Sequence, residues 1–406
     1  MWTLNSGIFG SLVYDLGLLG TPFSHSRIWF YTTVVRIAPN ELSYINPVAW
    51  KEIYGHRTKQ PEMSKDPDFY VSGPGSILTA PRERHSHLRY MMSHGFSEQA
   101  LGAQEPTIQK YVDMFLKGLR DQSHGGQEPV DMFFTFDLIG DLAFGESFGC
   151  LETSSYHPWV AIILDSLKST AFSRTMRRYP FIERLVKPFI IPKSLIPCRD
   201  AHRQITLENN ASGLILAGSE TTATLLSGAT FHLLRSPDSF AKLVEEVHST
   251  FSSEDQINLV GVNGLKYMLA CLDGVPSYVL AGSSRVPTKG PRRRSGHRWE
   301  MGTRTDNRYE RWLGDPHFKD DNKAALQPFH VGPRNCLGRN LAYVEMRLIL
   351  ARLLWNFDLE LVEGYERWDE QEIYGFGQKT PLLVKIKPVR RPQKIQESLE
   401  EHVSYV

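Results

Sequence analysis

The chain of 406 residues has little cysteine, little net charge and no long apolar runs. Its cysteines are too few and too scattered for a disulfide framework or a CxxC zinc site. They are Cys150, Cys198, Cys271 and Cys336. The formal net charge of +1 gives no overall attraction to nucleic acid, so we expect no nucleic-acid partner. A composition of 41% hydrophobic and 22% charged residues excludes a disordered chain and is typical of a globular protein.

No stretch of the sequence is a convincing membrane span. The best candidate is the segment 9–23, which is too short, carries Asp15 and is rich in glycine. It also lacks the basic region that precedes the apolar part of a signal peptide. We therefore expect no transmembrane anchor in this chain, and contact with a membrane surface is left open.

The hydrophobic pattern predicts a mostly α-helical chain with small β-sheets. Strand-like alternation over 34–45 is interrupted by a turn at Pro39-Asn40. Helices are predicted over 47–54, 81–101, 103–121, 131–145, 157–173, 201–235 and 237–252. A further helix after Gly338 places an apolar stripe on one face, formed by Leu341, Val344, Leu348, Ala351 and Trp355.

The segment 274–308 does not fit this pattern. It contains seven arginines and many Gly, Ser and Pro residues, and it has no helical or strand periodicity. A long structureless stretch between two well-packed segments argues against a simple element there. We expect Pro276 to block a helix, because proline in a helix interior costs about 3 kcal/mol.

Cys336 has the neighbourhood of a reactive cysteine. It lies in FHVGPRNCLG at 329–338, directly before a helix, and Arg334 is two residues away. The positive end of a helix and a nearby cation both lower a thiol pKa, and glycines leave room for a flat group to approach. These conditions favour a thiolate that ligates a metal. The alternative is a buried structural cysteine, which is the commoner case for a lone cysteine.

These ten residues resemble the haem-binding motif of the cytochrome P450 family, FxxGxRxCxG. All five specified positions match, namely Phe329, Gly332, Arg334, Cys336 and Gly338. The resemblance implies that Cys336 is the axial thiolate ligand of a haem iron. It also implies that Arg334 pairs with a haem propionate, that Gly338 lets the next helix lie close under the porphyrin, and that Phe329 packs near the sulfur.

A second motif, AGSETT at 217–222, resembles the helix that crosses the oxygen side of the haem in this family. Ala217, Gly218 and Thr221 share one side of a helix, and their small side chains leave room for dioxygen. Threonine can bond to a carbonyl one turn earlier and bend the helix. The resemblance makes Glu220 and Thr221 the acid–alcohol pair that delivers protons. The alternative is a Gly/Thr-rich surface helix.

A third match is weaker. His85 and Arg89 lie one turn apart in RERHSHLR and share a helix face. The resemblance implies that both bind haem propionates, and the alternative is a solvated basic helix face.

Whole segments resemble fungal microsomal P450s of secondary metabolism, including hydroxylases of trichothecene- and aflatoxin-type pathways. The likeness covers 33–207, 210–273 and 309 to about 392, which is about four-fifths of the chain. We expect an unassigned segment 1–32, one haem domain over 33–392 and a tail 393–406. The family's N-terminal anchor and some tens of residues near 207–210 have no counterpart here.

The likeness fails where the family has its ExxR helix. Glu and Arg are expected at 274 and 277, where this chain has Gly274 and Ser277. We therefore expect Arg311, in an ERW segment, to lack its partners, and burying an unpaired arginine costs several kcal/mol. One hypothesis is a shifted reading frame over 274–308, because codons for Glu-Ala-Phe-Arg read two nucleotides out of frame begin Gly-Val-Pro.

The resemblance implies an incomplete P450 fold and haem-thiolate monooxygenation of a hydrophobic secondary metabolite. The implied cofactors are haem b and O2, with electrons from NADPH through NADPH–cytochrome P450 reductase docked on the Cys336 side. The implied location is the endoplasmic reticulum membrane. Two alternatives stay open: an impaired haem-binding remnant without the ExxR element, and a helical interaction protein in which Cys336 is structural.

Overall fold

The computed structural model describes part of the chain. The described residues are 34–38, 41–44, 46–57, 62–65, 76–131, 136–145, 149–153, 206–282, 309–369, 371 and 380–389. The helix predicted over 157–173, the segments 1–32 and 393–406, and most of the atypical segment 274–308 lie outside these ranges.

Helices dominate the described residues, which confirms the prediction of a mostly α-helical chain. They are α1 (Arg82–Ser93), α2 (Glu98–Gln122), α3 (Phe136–Phe144), α4 (Cys150–Thr153), α5 (Thr206–Leu234), α6 (Pro237–Thr250), α7 (Lys266–Gly282) and α8 (Arg339–Asn356). A π-helical turn at Trp50–Tyr54 and several short 3₁₀ turns complete the helical part, two of them at Tyr309–Leu313 and Gly332–Arg334.

Two small antiparallel sheets accompany the helices. Strands β1 (Val34–Ala38) and β2 (Glu41–Tyr44) pair antiparallel where strand-like alternation was predicted, and the turn predicted at Pro39-Asn40 lies outside the described residues. The second sheet has the order β3-β5-β4, from β3 (Val130–Asp131), β4 (Phe357–Leu361) and β5 (Leu383–Pro388). Phe357 and Leu359 of β4 are buried while Asp358 and Glu360 are exposed, as expected for a sheet with one face on the core.

Helix α5 runs through the centre of the core and packs against α3, α6, α7 and α8. Most of its side chains between 219 and 233 are buried, apolar and polar ones alike, as expected for a helix with neighbours on several sides. Helix α8 packs against α2, α5 and α6. Four members of its predicted apolar stripe are buried and Val344 is half-buried. One continuous hydrophobic core therefore links α8, which follows the cysteine loop, with α5.

The prediction of one helix over 81–101 is wrong. Helix α1 ends at Ser93, a 3₁₀ turn follows at His94–Phe96, and α2 begins at Glu98. Ser97 begins α2, because its extended backbone leaves the helical conformation and its hydroxyl accepts a hydrogen bond of 3.2 Å from the Ala100 N–H. A serine cap between two helical patterns therefore outweighs continuous apolar periodicity.

The predicted start of a helix at 131 is also wrong. Asp131 belongs to β3, where it pairs with Leu383, and its carboxylate accepts a hydrogen bond of 3.1 Å from the Leu382 N–H. The partner strand lies some 250 residues further along the chain, so the sequence pattern around Asp131 does not reveal this pairing.

The expectation that Pro276 blocks a helix is wrong, because α7 continues from Lys266 to Gly282. Glu246 caps the start of α7, accepting hydrogen bonds from the backbone N–H groups of Tyr267 at 2.7 Å and Met268 at 2.8 Å. Helix α7 also packs against α5 and against the turn Tyr309–Leu313. These tertiary contacts offset the cost of proline.

Arg311 does not lack a partner. Its Nε lies 2.5 Å from Asp321 Oδ2, and its guanidinium lies 5.0 Å from the centre of the Phe318 ring. Both members of this ion pair are about one-third exposed. A carboxylate ten residues further along thus replaces the partners that the family pattern leads one to expect, and the predicted penalty for an unpaired arginine does not apply.

Gly274 provides a test of how α7 packs. A Cβ atom there would lie 2.9 Å from Tyr309 Cδ1 and 3.2 Å from Trp312 Nε1. Glycine in a helix interior normally costs roughly 0.5–1 kcal/mol relative to alanine, so Gly→Ala should stabilise where space allows. At Gly118 in α2 nothing lies within 4 Å of such a Cβ.

We expect Gly274→Ala to lower the free energy of unfolding by about 1 kcal/mol or more, because overpacking exceeds the gain in helix propensity. The matched control Gly118→Ala should raise it by about 0.5–1 kcal/mol. Thermal and urea unfolding of both variants checks this. A Gly274→Ala protein as stable as Gly118→Ala would show that α7 does not pack on Tyr309 in this way.

Candidate functional site

Cys336 is the exposed residue of an otherwise half-buried loop. All residues of 329–338 are described, and within them Cys336 alone is exposed. The Cys336 N–H donates a hydrogen bond of 2.8 Å to the Phe329 carbonyl, which closes the loop across its base. The loop therefore presents its thiol-bearing residue outward, directly before α8 begins at Arg339.

The first half of the loop depends on Gly332. Its φ of 75° lies in the left-handed region, and a Cβ there would overlap the Tyr54 carbonyl oxygen. The His330 ring beside it lies edge-on to two aromatic rings, with centroid distances of 4.4 Å to Tyr54 and 5.4 Å to Trp50. The π-helical turn Trp50–Tyr54 thus forms a wall against which the loop packs.

Arg89 of α1 holds the residue before the cysteine. Its Nη1 donates to the Asn335 carbonyl at 2.7 Å and its Nη2 donates to Asn335 Oδ1 at 2.5 Å. Because two nitrogens of one guanidinium bond to the backbone and to the side chain of Asn335, they fix both the position and the orientation of that residue. Arg89, predicted as a propionate ligand, therefore also braces the cysteine loop.

Arg334 is fixed by two segments that precede α1. Its Nε pairs with the Glu62 carboxylate, and its Nη2 donates to the Ala80 carbonyl at 3.0 Å. Its Nη1 is buried and has no hydrogen-bond partner among the residues that the structure describes. A buried donor without an acceptor is costly, so this nitrogen marks a place for an acceptor that the described residues do not supply.

Positive charge exceeds negative charge around Arg334. Burial, with a smaller contribution from the Arg334 charge, lowers the pKa of Lys65 to about 8. Burial lowers the pKa of His85 to about 4, again with help from Arg334, while Glu62 acts in the opposite direction on both groups. Two cationic side chains, Arg334 and Lys65, therefore meet one carboxylate and a neutral His85 at this position, which suits a ligand that carries carboxylates.

The prediction of a lowered thiol pKa is wrong. Although part of Cys336 is open to solvent, desolvation of its thiol by the surrounding protein raises its pKa, and the Gly338 N–H, Arg89 and Arg339 oppose this shift without overcoming it. Arg334 is not one of the cations that act on the thiol, because it is turned toward Glu62. Coordination to a metal deprotonates a thiol outright, so the raised pKa does not prevent a thiolate ligand.

Phe329 connects the loop to α7. Its ring centroid lies 5.1 Å from that of Tyr343 in α8, and the Tyr343 hydroxyl donates a hydrogen bond of 2.6 Å to Asp273 Oδ1. Arg339 lies 5.8 Å from both ring centres. The base of the loop is therefore tied to the part of α7 that precedes Gly274.

The AGSETT motif has one open edge on the buried helix α5. Between 213 and 234, where the structure describes every side chain of α5, only Ala217 and Thr221 are exposed. The Thr221 hydroxyl donates to the Ala217 carbonyl, one turn earlier. Gly218 lies instead against α3, where a Cβ would be 2.9 Å from Ile139 Cδ1. Ala217 and Thr221 thus form the open edge, and Gly218 permits close packing of two helices.

Two buried glutamates lie near this edge. Glu220 is 2% exposed, and its carbonyl accepts a hydrogen bond of 2.6 Å from the Thr224 hydroxyl. Glu345 of α8 is 3% exposed, and burial raises its pKa to about 8, while the Thr222 side chain acts to lower it. The sequence reading missed Glu345, although its spacing between Leu341 and Leu348 places an acid on the apolar face of α8.

The predicted site residues fall into two groups. The loop residues, His85 and Arg89 come together around Cys336 and Arg334. The α5 residues make no hydrogen bond to the loop within the described contacts, but α5 packs against α8, the helix that follows the loop. Tyr54, Glu62, Lys65 and Asn335 were missed, because only the fold brings the first three to the loop and Asn335 carries no signal of its own.

A haem fits these residues in its chemistry. An exposed cysteine offers a single sulfur ligand, and the buried Arg334 nitrogen with its surrounding positive charge suits propionates. Gly338 leaves space beside the thiol, since a Cβ there would meet only the Phe96 ring, at 3.7 Å. In the described parts of the chain, His, Cys, Asp and Glu side chains form no cluster of three that could hold a bare metal ion.

Comparison with known proteins identifies a family. A family model described as Cytochrome P450 matches residues 33–195, 199–273 and 307–385. The match leaves out 274–306, so it stops after Asp273, the residue that bonds to Tyr343.

Curated relatives agree with this match. Cytochrome P450 monooxygenase astA of Talaromyces wortmannii is 41% identical, with 94% of this chain and 89% of the relative covered. Trichothecene C-15 hydroxylase of Fusarium sporotrichioides is 39% identical over 88% of this chain and 86% of its own length. Averantin hydroxylase of Dothistroma septosporum is 37% identical over 95% and 83%. The first alignment spans 446 positions, more than this chain has residues, so that relative contains internal residues without a counterpart here.

The two glycines of the loop should respond differently to alanine. Gly332→Ala should lower the free energy of unfolding by about 2–4 kcal/mol, through left-handed strain and overlap with the Tyr54 carbonyl. Gly338→Ala should change it by less than about 1 kcal/mol, because the new methyl group meets only Phe96 at ordinary contact distance.

Haem uptake separates the two effects. Gly338→Ala should fold like the parent yet bind haem less completely, measured as the ratio of Soret absorbance to protein absorbance after haem loading. Full haem occupancy in Gly338→Ala would contradict the assignment of Gly338 to the haem-facing side of the loop.

Proposed function

We propose that this chain, which belongs to the cytochrome P450 family and is a P450 monooxygenase, hydroxylates a hydrophobic small molecule of secondary metabolism. The observation that carries the proposal is Cys336, the exposed residue of a loop that side chains and carbonyls from four other segments hold in place. The names of the relatives, a trichothecene C-15 hydroxylase and an averantin hydroxylase, support the substrate class.

Cys336 would be the thiolate ligand of haem b, and the bound haem supplies activation of O2, since thiolate ligation favours cleavage of the O–O bond. Arg334, Lys65 and Arg89 would hold the haem carboxylates. Their surplus positive charge and the unpartnered Arg334 nitrogen support this role. Phe329 and Gly338 flank the ligand, the first by packing on Tyr343 and the second by leaving the backbone bare.

The open edge of α5 would line the oxygen and substrate side. Ala217 contributes little bulk, and Thr221 Oγ1 holds a proton that it shares with the Ala217 carbonyl. From this position the hydroxyl can turn toward a bound ligand, with Glu220 buried beside it as the acid of the pair.

Electrons would come from NADPH through NADPH–cytochrome P450 reductase, on the side of the molecule where Cys336 lies. Exposed arginines at the start of α1 and of α8, Arg82, Arg84 and Arg339, support docking of an acidic partner there. Across the described ranges, no helix has both the length and the apolar character that crossing a bilayer requires. The endoplasmic reticulum membrane is proposed as the location from the family alone.

A second candidate is a haem-binding protein with impaired turnover. It is favoured by the interruption of the family match at 274–306 and by Gly274 at the expected glutamate position. The two candidates share the haem site and differ in whether substrate is oxidised.

A carbon monoxide difference spectrum of the reduced protein tests the proposal. The parent should show the Soret band of a haem-thiolate complex, Cys336→Ala should lose it, and Cys271→Ala should keep it as the matched buried-cysteine control. Reductase-dependent consumption of a hydrophobic substrate then favours the enzyme over the impaired protein. A thiolate band that survives Cys336→Ala, or a parent that binds no haem, would refute the assignment and favour a structural cysteine.

A further inference from the structure

Cys336 is linked to helix α7 through one residue of its own loop, Phe329. The Phe329 carbonyl accepts a hydrogen bond of 2.8 Å from the Cys336 N–H. The Phe329 ring packs on Tyr343 of α8, with 5.1 Å between the ring centres. The Tyr343 hydroxyl in turn donates a hydrogen bond of 2.6 Å to Asp273 Oδ1 of α7. Because one residue supplies both the carbonyl and the ring, a shift of that ring also shifts the acceptor of the Cys336 N–H.

The bond between Tyr343 and Asp273 is of a strong kind. A hydroxyl that donates to a carboxylate typically lies about 2.5–2.7 Å from it, and such a bond is roughly twice as strong as one between neutral groups. Burial raises the pKa of Tyr343, and the hydrogen bond and charge of Asp273 act in the same direction, so the hydroxyl keeps the proton that it donates. Both side chains are half-buried, which shields the bond in part from water.

Two arginines, each one turn away along α8, also hold the Tyr343 ring. Arg339 lies 5.8 Å and Arg347 lies 5.3 Å from the ring centre, within the range of a cation–π contact. Arg347 is itself fixed, because its Nη1 donates a hydrogen bond of 2.6 Å to Asn263 Oδ1. Arg339 is one of the cations that act on the Cys336 thiol. The same ring therefore supports both an aromatic residue of the loop and a cation that acts on its thiol.

Asp273 belongs to a closely packed part of α7. At the next residue, Gly274, a Cβ would lie only 2.9 Å from Tyr309 Cδ1. Cys271 and Val275, two residues to either side of Asp273, are fully buried. Close packing on this scale resists small displacements. Asp273 is therefore a firm point of attachment for the Tyr343 side chain.

We infer that Asp273 and Tyr343 are a pair of positioning residues, which hold Phe329 in place and thereby fix the backbone of Cys336. The pair joins α7 to the cysteine loop beside Gly274, which stands where the family pattern has a glutamate. The consequence for a haem ligand rests on the function proposed above, whereas the hydrogen bonds and the ring contact belong to the fold alone.

Three variants separate the hydrogen bond from the ring. Tyr343→Phe keeps the ring and loses the donor, Asp273→Ala loses the acceptor, and Asp273→Asn keeps an acceptor oxygen. Tyr111→Phe is the matched control, because the Tyr111 hydroxyl donates a hydrogen bond of 2.8 Å to the Asp141 carboxylate. That bond joins α2 to α3 and not to the cysteine loop.

Hydrogen exchange at the Cys336 amide, resolved by mass spectrometry with fragmentation, tests the inference in the full chain. Tyr343→Phe and Asp273→Ala should each speed this exchange at least fivefold, because the carbonyl that accepts the Cys336 N–H is no longer held. Asp273→Asn and Tyr111→Phe should each stay within twofold of the parent. Combining Tyr343→Phe with Asp273→Ala should add less than twofold to either single change, since both remove the same bond.

The reduced carbon monoxide complex shows whether the pair also protects the haem ligand. The Soret band of the thiolate complex should convert to that of a neutral thiol at least threefold faster in Tyr343→Phe than in the parent. Asp273→Asn and Tyr111→Phe should convert at nearly the parent rate. A loss of general stability would affect both tyrosine variants, whereas a loss of positioning affects Tyr343→Phe alone. Conversion of Tyr343→Phe at the parent rate would contradict an effect on the ligand.

The results keep this inference apart from the proposed function. Cys336 exchange that is unchanged in both Tyr343→Phe and Asp273→Ala, or that rises equally in Tyr111→Phe, would overturn the inference. A parent that binds no haem would overturn the proposed function, and faster exchange in Tyr343→Phe but not in Tyr111→Phe would still support the positioning pair. If Asp273→Ala does not fold, Tyr343→Phe and Asp273→Asn decide the question.

Discussion

The anchoring of the loop 329–338 by side chains from distant segments is the constraint on which the site depends. Within the loop, Gly332 takes a left-handed backbone conformation that other residues rarely adopt. His330, two residues earlier, also has a positive φ, of 61°. Such a backbone persists only where its surroundings determine it. Arg89 fixes Asn335, Arg334 is bound from two segments before α1, and the turn Trp50–Tyr54 closes one side. The exposed position of Cys336 follows from these contacts.

The missing ExxR residues affect this constraint less than the family pattern suggests. The described anchors of the loop come from the turn Trp50–Tyr54, the segments before α1, α1 itself and α8. The contact from α7 is made by Asp273, through Tyr343 to Phe329, and the family match also extends to Asp273. Beyond that residue α7 continues with Gly274 packed on Tyr309, and Arg311 pairs with Asp321. In this chain the contacts of Gly274 with Tyr309 and of Arg311 with Asp321 therefore stand where the family pattern has its ExxR network.

The sequence was sufficient to predict those elements whose determining residues lie close together along the chain. The strands β1 and β2, the helix from 237 and the apolar stripe of α8 all follow from period and turn residues. It was insufficient to predict pairings between residues that lie far apart along the chain. Asp131 pairs with a strand near 383, and Arg334 reaches Glu62 instead of the thiol. Glu345 is an intermediate case, since an acid on an apolar helix face is visible in sequence but its nearly complete burial is not.

The central claim is that Cys336 of this chain binds haem iron although the ExxR pair is absent. X-ray absorption at the iron edge of the purified, haem-loaded protein tests it most directly, because it counts the sulfur neighbours of iron without requiring turnover or a redox partner. The account predicts one sulfur ligand in the parent and in Gly118→Ala, and none in Cys336→Ala. An iron site in the parent with only nitrogen and oxygen neighbours would contradict it.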